Sequence, residues 1–90
     1  QHKILYPALG LAGEAGEVAN KVKKLIRDGP ENRPKTWRED IASEIGDVLW
    51  YCAALATDLN LTLGMIAAQN EKKLMARKNA GTIGGSGDTR

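Results

Sequence analysis

From Ile4 to about Arg27 apolar residues fall at Leu5, Leu9, Ala12, Ala19, Val22 and Ile26, a spacing that sets them in one stripe along a helix. Ile4, Ala8, Leu11, Ala15, Val18 and Leu25 widen the stripe. Gly10, Gly13 and Gly16 interrupt the pattern, and each lowers helix stability by about 1 kcal/mol relative to Ala. Such glycines are expected where another helix or a ligand comes close. "DGPENRPK" then ends the helix with Gly29, Pro30 and Pro34. "TWRE" predicts a capping box, Thr36 accepting from the Glu39 amide and the Glu39 carboxylate reaching back. A second helix follows through Ile41, Ile45, Val48, Leu49, Cys52, Leu55 and Ala56 to about Leu59, with Asn60 as a left-handed cap. Thr62 is the expected N-cap of a third helix, which carries Met65, Ile66, Leu74 and Met75 and ends near Ala80 with Gly81 as its stop. "GTIGGSGDTR", residues 81–90, has no apolar period and is expected to be a flexible tail.

Three helices with short links predict an all-α antiparallel bundle, one domain over residues 1–80. "DVLWYCAALA" is apolar nearly all round. A second chain covering it is the natural expectation, hence a homodimer or homotetramer completing a four-helix type of bundle.

Composition narrows the partners. The 90 residues carry 13 Lys and Arg against 11 Asp and Glu, a net charge of +2, which is too small to steer the chain onto nucleic acid or an anionic membrane. No apolar run approaches the roughly 20 residues of a membrane span, and no signal-peptide pattern is present, so a cytoplasmic protein is expected. The start at Gln1 rather than Met suggests that residues upstream are missing. Cys52, the one cysteine, sits in an apolar run and reads as an inert buried thiol.

Against this background the carboxylates stand out. Glu14 and Glu17 lie three residues apart, with Lys21 and Lys24 continuing their face, and Glu44 and Asp47 repeat the spacing in the second helix. Glu-x-x-Glu followed by Lys is a routine solvated pattern. However, Glu44 and Asp47 adjoin the most apolar stretch, and glycines accompany both pairs. Antiparallel helices could turn the two pairs toward each other into a pocket of four carboxylates, a charge density that needs a cation. Oxygen ligands suit Mg2+ or Mn2+, and with His2 as the only histidine the Glu-x-x-His pairs of di-iron bundles cannot be built. Mg2+ commonly completes its shell with substrate phosphates, so carboxylates with nearby cations describe a phosphoanhydride or phosphoester site. Lys21 and Lys24, and Asn70, Lys73 and Arg77 along one face of the third helix, could hold phosphates. Trp37, Trp50 and Tyr51 read first as core or interface, although one aromatic beside the site could hold a nucleobase.

"LGLAGEAGEVANKVKK", "EIGDVLWYCAALA" and "NEKKLMARKNAGTIGGSGD", in this order, resemble the MazG-like all-alpha nucleotide pyrophosphohydrolases across essentially the whole chain. The family signature is Glu-Glu-x-x-Glu on one helix and Glu-x-x-Asp on the next. The resemblance implies that Glu14, Glu17, Glu44 and Asp47 ligate Mg2+ and that a nucleoside triphosphate is cut between its α and β phosphates. It also implies that Glu17 assists the attacking water, that Asn70, Lys73 and Arg77 contact sugar or phosphate, and that Trp50 lines the base pocket. Gly13 stands where the signature has its first Glu, leaving four carboxylates rather than five. A phosphoribosyl-ATP-type pyrophosphohydrolase and a non-catalytic metal-binding dimerisation module are the alternatives.

Overall fold

The computed structural model describes residues 3–81. The sequence expectations for His2 and for the tail beyond Gly81 therefore fall outside the described residues. Helix α1 spans Leu5–Asp28, a short 3-10 turn covers Pro30–Asn32, α2 spans Trp37–Asp58 and α3 spans Leu63–Asn79. The chain is all-α, with no strand among the described residues.

Local chemistry explains the boundaries. Pro7 falls in the first turn of α1, where a missing N–H leaves no helix bond unmade. Gly29 ends α1 at φ 83°, its N–H donating to Leu25 O, while Asn32 Nδ2 donates to the Asp28 carbonyl at 2.7 Å. At the end of α2, Asn60 adopts φ 62°. The Asn60 N–H donates to Thr57 O and the Leu61 N–H to Ala56 O, the paired bonds of a Schellman cap. Thr62 caps α3 by accepting from the Met65 N–H at 3.1 Å, and Gly81 follows that helix at φ 71°.

The expected capping box at α2 does not form. The Trp37 N–H donates to Pro34 O, and Thr36 sits at φ −95°, ψ 17° instead of in the extended conformation an N-cap needs. Its hydroxyl instead donates to Asp40 at 3.1 Å.

Helices α1 and α2 pack antiparallel along their lengths. The less exposed positions of α1 include Pro7, Leu11, Glu14, Val18, Lys21 and Leu25; those of α2 include Trp37, Ile41, Glu44, Val48, Tyr51 and Leu55. Both series alternate steps of four and three, the period of a coiled-coil seam. Gly10 sets the register: a Cβ there would overlap the Tyr51 ring. Gly13 and Gly16, expected to admit a close neighbour, face open space, as does Gly46.

Two expectations are corrected here. The stripe of Leu5, Leu9, Ala12, Ala19, Val22 and Ile26 does not face the chain's own core; all six are exposed, and the flanking set of Leu11, Val18 and Leu25 meets α2. Nor do the three helices form one bundle. The axis of α3 turns 96° from that of α2 and α3 makes no packing contact with α1. The antiparallel arrangement belongs to α1 and α2 alone. Among the described residues only Pro7 and Ala56 are fully buried, while Ile26, Tyr6, Leu9 and Trp50 are 76, 70, 64 and 64% exposed.

Replacing Gly10 by Ala is expected to lower stability by about 1 to 3 kcal/mol in urea unfolding, because the half-buried Tyr51 ring has to shift. Unchanged stability would contradict this helix register.

Candidate metal centre

The register that seats Tyr51 against Gly10 also lowers Glu14 onto α2 where Glu44 and Asp47 emerge. One carboxylate oxygen from each of Glu14, Glu44 and Asp47 lies within 4.8 Å of the others. Glu14 and Glu44 are half-buried at the seam, whereas Asp47 is exposed at its edge, more open than its apolar neighbours suggest. The Glu14 carboxyl is pushed above the ordinary carboxylate range. Partial removal from water is the largest cause, followed by the charges of Asp47, Glu44 and Glu17 and a hydrogen bond with Glu44.

Glu17 lies one turn further along α1 and is exposed. Its charge reaches Glu14, but it stands outside the close trio, so the structure gathers three carboxylates where the sequence suggested four. Among the described residues no hydrogen bond or ion pair pins its side chain.

A groove of about 360 Å³ opens on two of the three carboxylates, lined by Glu14, Asp47, Trp50 and Tyr51. Trp50 meets Tyr51 edge to face, with ring centroids 5.1 Å apart and planes at 89°. The indole lines the groove together with Glu14 and Asp47.

The other sequence candidates lie elsewhere. Lys21 and Lys24 line a cavity at the α1–α2 turn, with Arg33 and Trp37. Asn70 and Lys73 line an open corner with Leu49, Leu63 and Ile66. Leu49 comes two residues after Asp47 and therefore nearly opposite it around α2. That corner thus opens away from the trio of its own chain. Arg77 lies further along α3 and is half-buried. Sequence reasoning missed Arg33 as a polar candidate, and the signal for it was the pair of prolines, Pro30 and Pro34, that turns the segment back.

The donor set fits a hard divalent cation. Among the described residues, three carboxylate oxygens converge from two helices without a nitrogen or sulfur donor, and partial desolvation together with like charge raises the Glu14 pKa. A cation of this kind would relieve the repulsion that the fold imposes.

Comparison with known proteins agrees with this geometry. A family model described as the MazG nucleotide pyrophosphohydrolase domain matches residues 3–82. The chain is also similar to the Gene 37 protein of Mycobacterium phage L5, with 48% identity over 87 residues, covering 97% of this chain and 76% of the relative. No solved structure matches the chain.

In the absence of metal, stability from this site is greatest below the ordinary carboxylate range and falls as pH rises through the raised Glu14 pKa, because the folded state disfavours the ionised form. Mg2+ is expected to raise Tm progressively with its concentration. Glu14→Gln is expected to raise the metal-free Tm and abolish the Mg2+ response. A Mg2+ response that survives Glu14→Gln would place the cation elsewhere.

Proposed function

The chain belongs to the MazG nucleotide pyrophosphohydrolase family, and on that footing we propose that it hydrolyses nucleoside or deoxynucleoside triphosphates to the monophosphate and pyrophosphate, using Mg2+ or Mn2+. The observation that carries this reading is the convergence of Glu14, Glu44 and Asp47, two of which, Glu14 and Asp47, line a groove with Trp50. Clearance of unwanted nucleotides from the pool is the role that suits such an activity.

In the reaction, a water oxygen bonds to the α-phosphorus, and the bond from that phosphorus to the oxygen bridging it to the β-phosphate breaks. The bridging oxygen keeps the electron pair and leaves with the pyrophosphate. Glu14, Glu44 and Asp47 would hold the cation, with Glu17 as a further carboxylate at its open side. When bound, the cation supplies charge neutralisation for the phosphate oxygens and the leaving group. Glu17, exposed and without a hydrogen bond or ion pair among the described residues, would accept the proton of the attacking water. Trp50 would stack on the base, fixing the α-phosphate over the carboxylates.

Assembly is part of the same proposal. The exposed stripe Leu5, Leu9, Val22 and Ile26 on α1, together with Ile45 and Leu49 on α2, is too continuous to remain in water. A second copy of the chain, as a homodimer or within a homotetramer, would cover it. Asn70, Lys73 and Arg77 then contact substrate only across the interface, α3 of one chain serving the carboxylates of another, since α3 makes no packing contact with α1 of its own chain.

Asp47→Asn is expected to reduce pyrophosphate release by about 100-fold or more, with fold and mass retained. Trp50→Ala is expected to raise KM about 10-fold, the loss of one base stack. Full activity in Asp47→Asn would remove the mechanism. Light scattering should give at least a dimer for the wild type and a smaller species for Leu49→Asp. A stable wild-type monomer would contradict the shared site.

A further inference from the structure

The aromatic end of the carboxylate groove contains a residue that the proposed reaction leaves without a role. Tyr51 lines the groove with Glu14, Asp47 and Trp50 and is half-buried. It follows Asp47 by four residues on α2, and Gly10, on which its ring rests, precedes Glu14 by four on α1. Tyr51 and its seat therefore lie one turn along the hairpin from these two carboxylates, about 6 Å, within the span of a nucleotide whose phosphate is held there.

Two contacts fix the Tyr51 ring. A Cβ at Gly10 would overlap its Cδ1, Cε1 and Cζ atoms, so the ring lies directly on the α1 backbone. Its second contact is with Trp50, at 5.1 Å between centroids and 89° between planes. The phenol oxygen makes no hydrogen bond among the described residues, so packing and not a polar anchor sets the orientation of the ring.

Trp50 is in the opposite situation. Its indole is 64% exposed, and its ring contact among the described residues is the one with Tyr51. An open side chain samples several rotamers on the ps–ns timescale, and that freedom is lost when a base stacks on it. An edge-to-face neighbour that is itself held by the other helix removes the freedom beforehand. Support thus runs from the α1 backbone at Gly10 through Tyr51 to the indole.

We propose that Tyr51 is a positioning residue for nucleotide binding: seated on Gly10, its ring holds the Trp50 indole in the orientation that stacks on the base, and it acts on the substrate through that indole. The inference rests on the stacking role given to Trp50 in the proposed reaction. It makes the register of α1 against α2 part of substrate recognition, because the glycine that sets the register also seats the ring.

The test reads Trp50 first without substrate and then through turnover. In a Trp37→Phe background, which leaves Trp50 as the one tryptophan, Tyr51→Leu should lower the Trp50 emission anisotropy and Tyr51→Phe should leave it unchanged. In pyrophosphate-release assays Tyr51→Leu should raise KM about 5-fold with kcat little changed, and Tyr51→Phe should keep the wild-type KM. Added to Trp50→Ala, Tyr51→Leu should raise KM no further. Gly10→Ala, which displaces the ring without removing it, should raise KM in the same direction and keeps the test open where Tyr51→Leu loosens the seam. An anisotropy indifferent to Tyr51→Leu overturns the proposal, as does a Tyr51→Phe with the KM of Tyr51→Leu or an additive effect in the double variant. No effect of Trp50→Ala by itself would sink the stacking role of Trp50 and this inference with it, a failure read from a variant in which Tyr51 is intact.

Discussion

Three carboxylate oxygens within 4.8 Å can persist only where the surrounding helix pairing is strong enough to hold like charges together. In this chain the pairing is the antiparallel seam of α1 and α2. Glu14 and Glu44 occupy seam positions that Leu or Val fills one turn away, as at Leu11, Val18 and Val48. The packing of those neighbours, with Tyr51 laid on Gly10, holds Glu14 partly out of water and beside like charge, and the raised Glu14 pKa reflects both, desolvation first. A divalent cation would turn the same geometry from a strain into a binding site. Stability and chemistry are therefore coupled at one place.

The second constraint is what the hairpin leaves uncovered. Two helices in contact can each hide one face, yet α1 and α2 both carry a second apolar stripe, and α3 turns away at 96° instead of closing over them. With only Pro7 and Ala56 buried among the described residues, a single copy removes little apolar surface from water, and a chain of this size has little stability to spare. The proposed assembly answers both this shortage and the separation of α3 from the carboxylates. On that account, the interface and the active site are built by the same association.

Much of this was legible in the residues. Gly29 with the two prolines, Asn60, Thr62 and Gly81 act through backbone geometry and local hydrogen bonds, so the helix ends could be read from them. The meeting of Glu14 with Glu44 and Asp47 was legible because each acidic pair has helical spacing and the two helices run antiparallel. What lay beyond the sequence was tertiary. Two apolar stripes on α1 have the same period, and periodicity cannot say which one meets α2. The angle of α3 is set by the link from Asn60 to Thr62, so Asn70 and Lys73 line a corner beside Leu49 and not the groove lined by Glu14 and Asp47. Glu17 differs from Glu14 by one turn, which is enough to move it from the seam to the open edge. The Thr36 box failed because Pro34 draws the Trp37 amide into a preceding turn.

The central claim is that water attacks the α-phosphorus of a triphosphate at the Glu14, Glu44 and Asp47 cluster. Hydrolysis of a deoxynucleoside triphosphate in 18O-labelled water, with Mg2+ present, tests it in one experiment by mass analysis of both products. The account predicts one label in the monophosphate, unlabelled pyrophosphate, and no reaction in EDTA. Label in the pyrophosphate, or release of single phosphate instead, would contradict it.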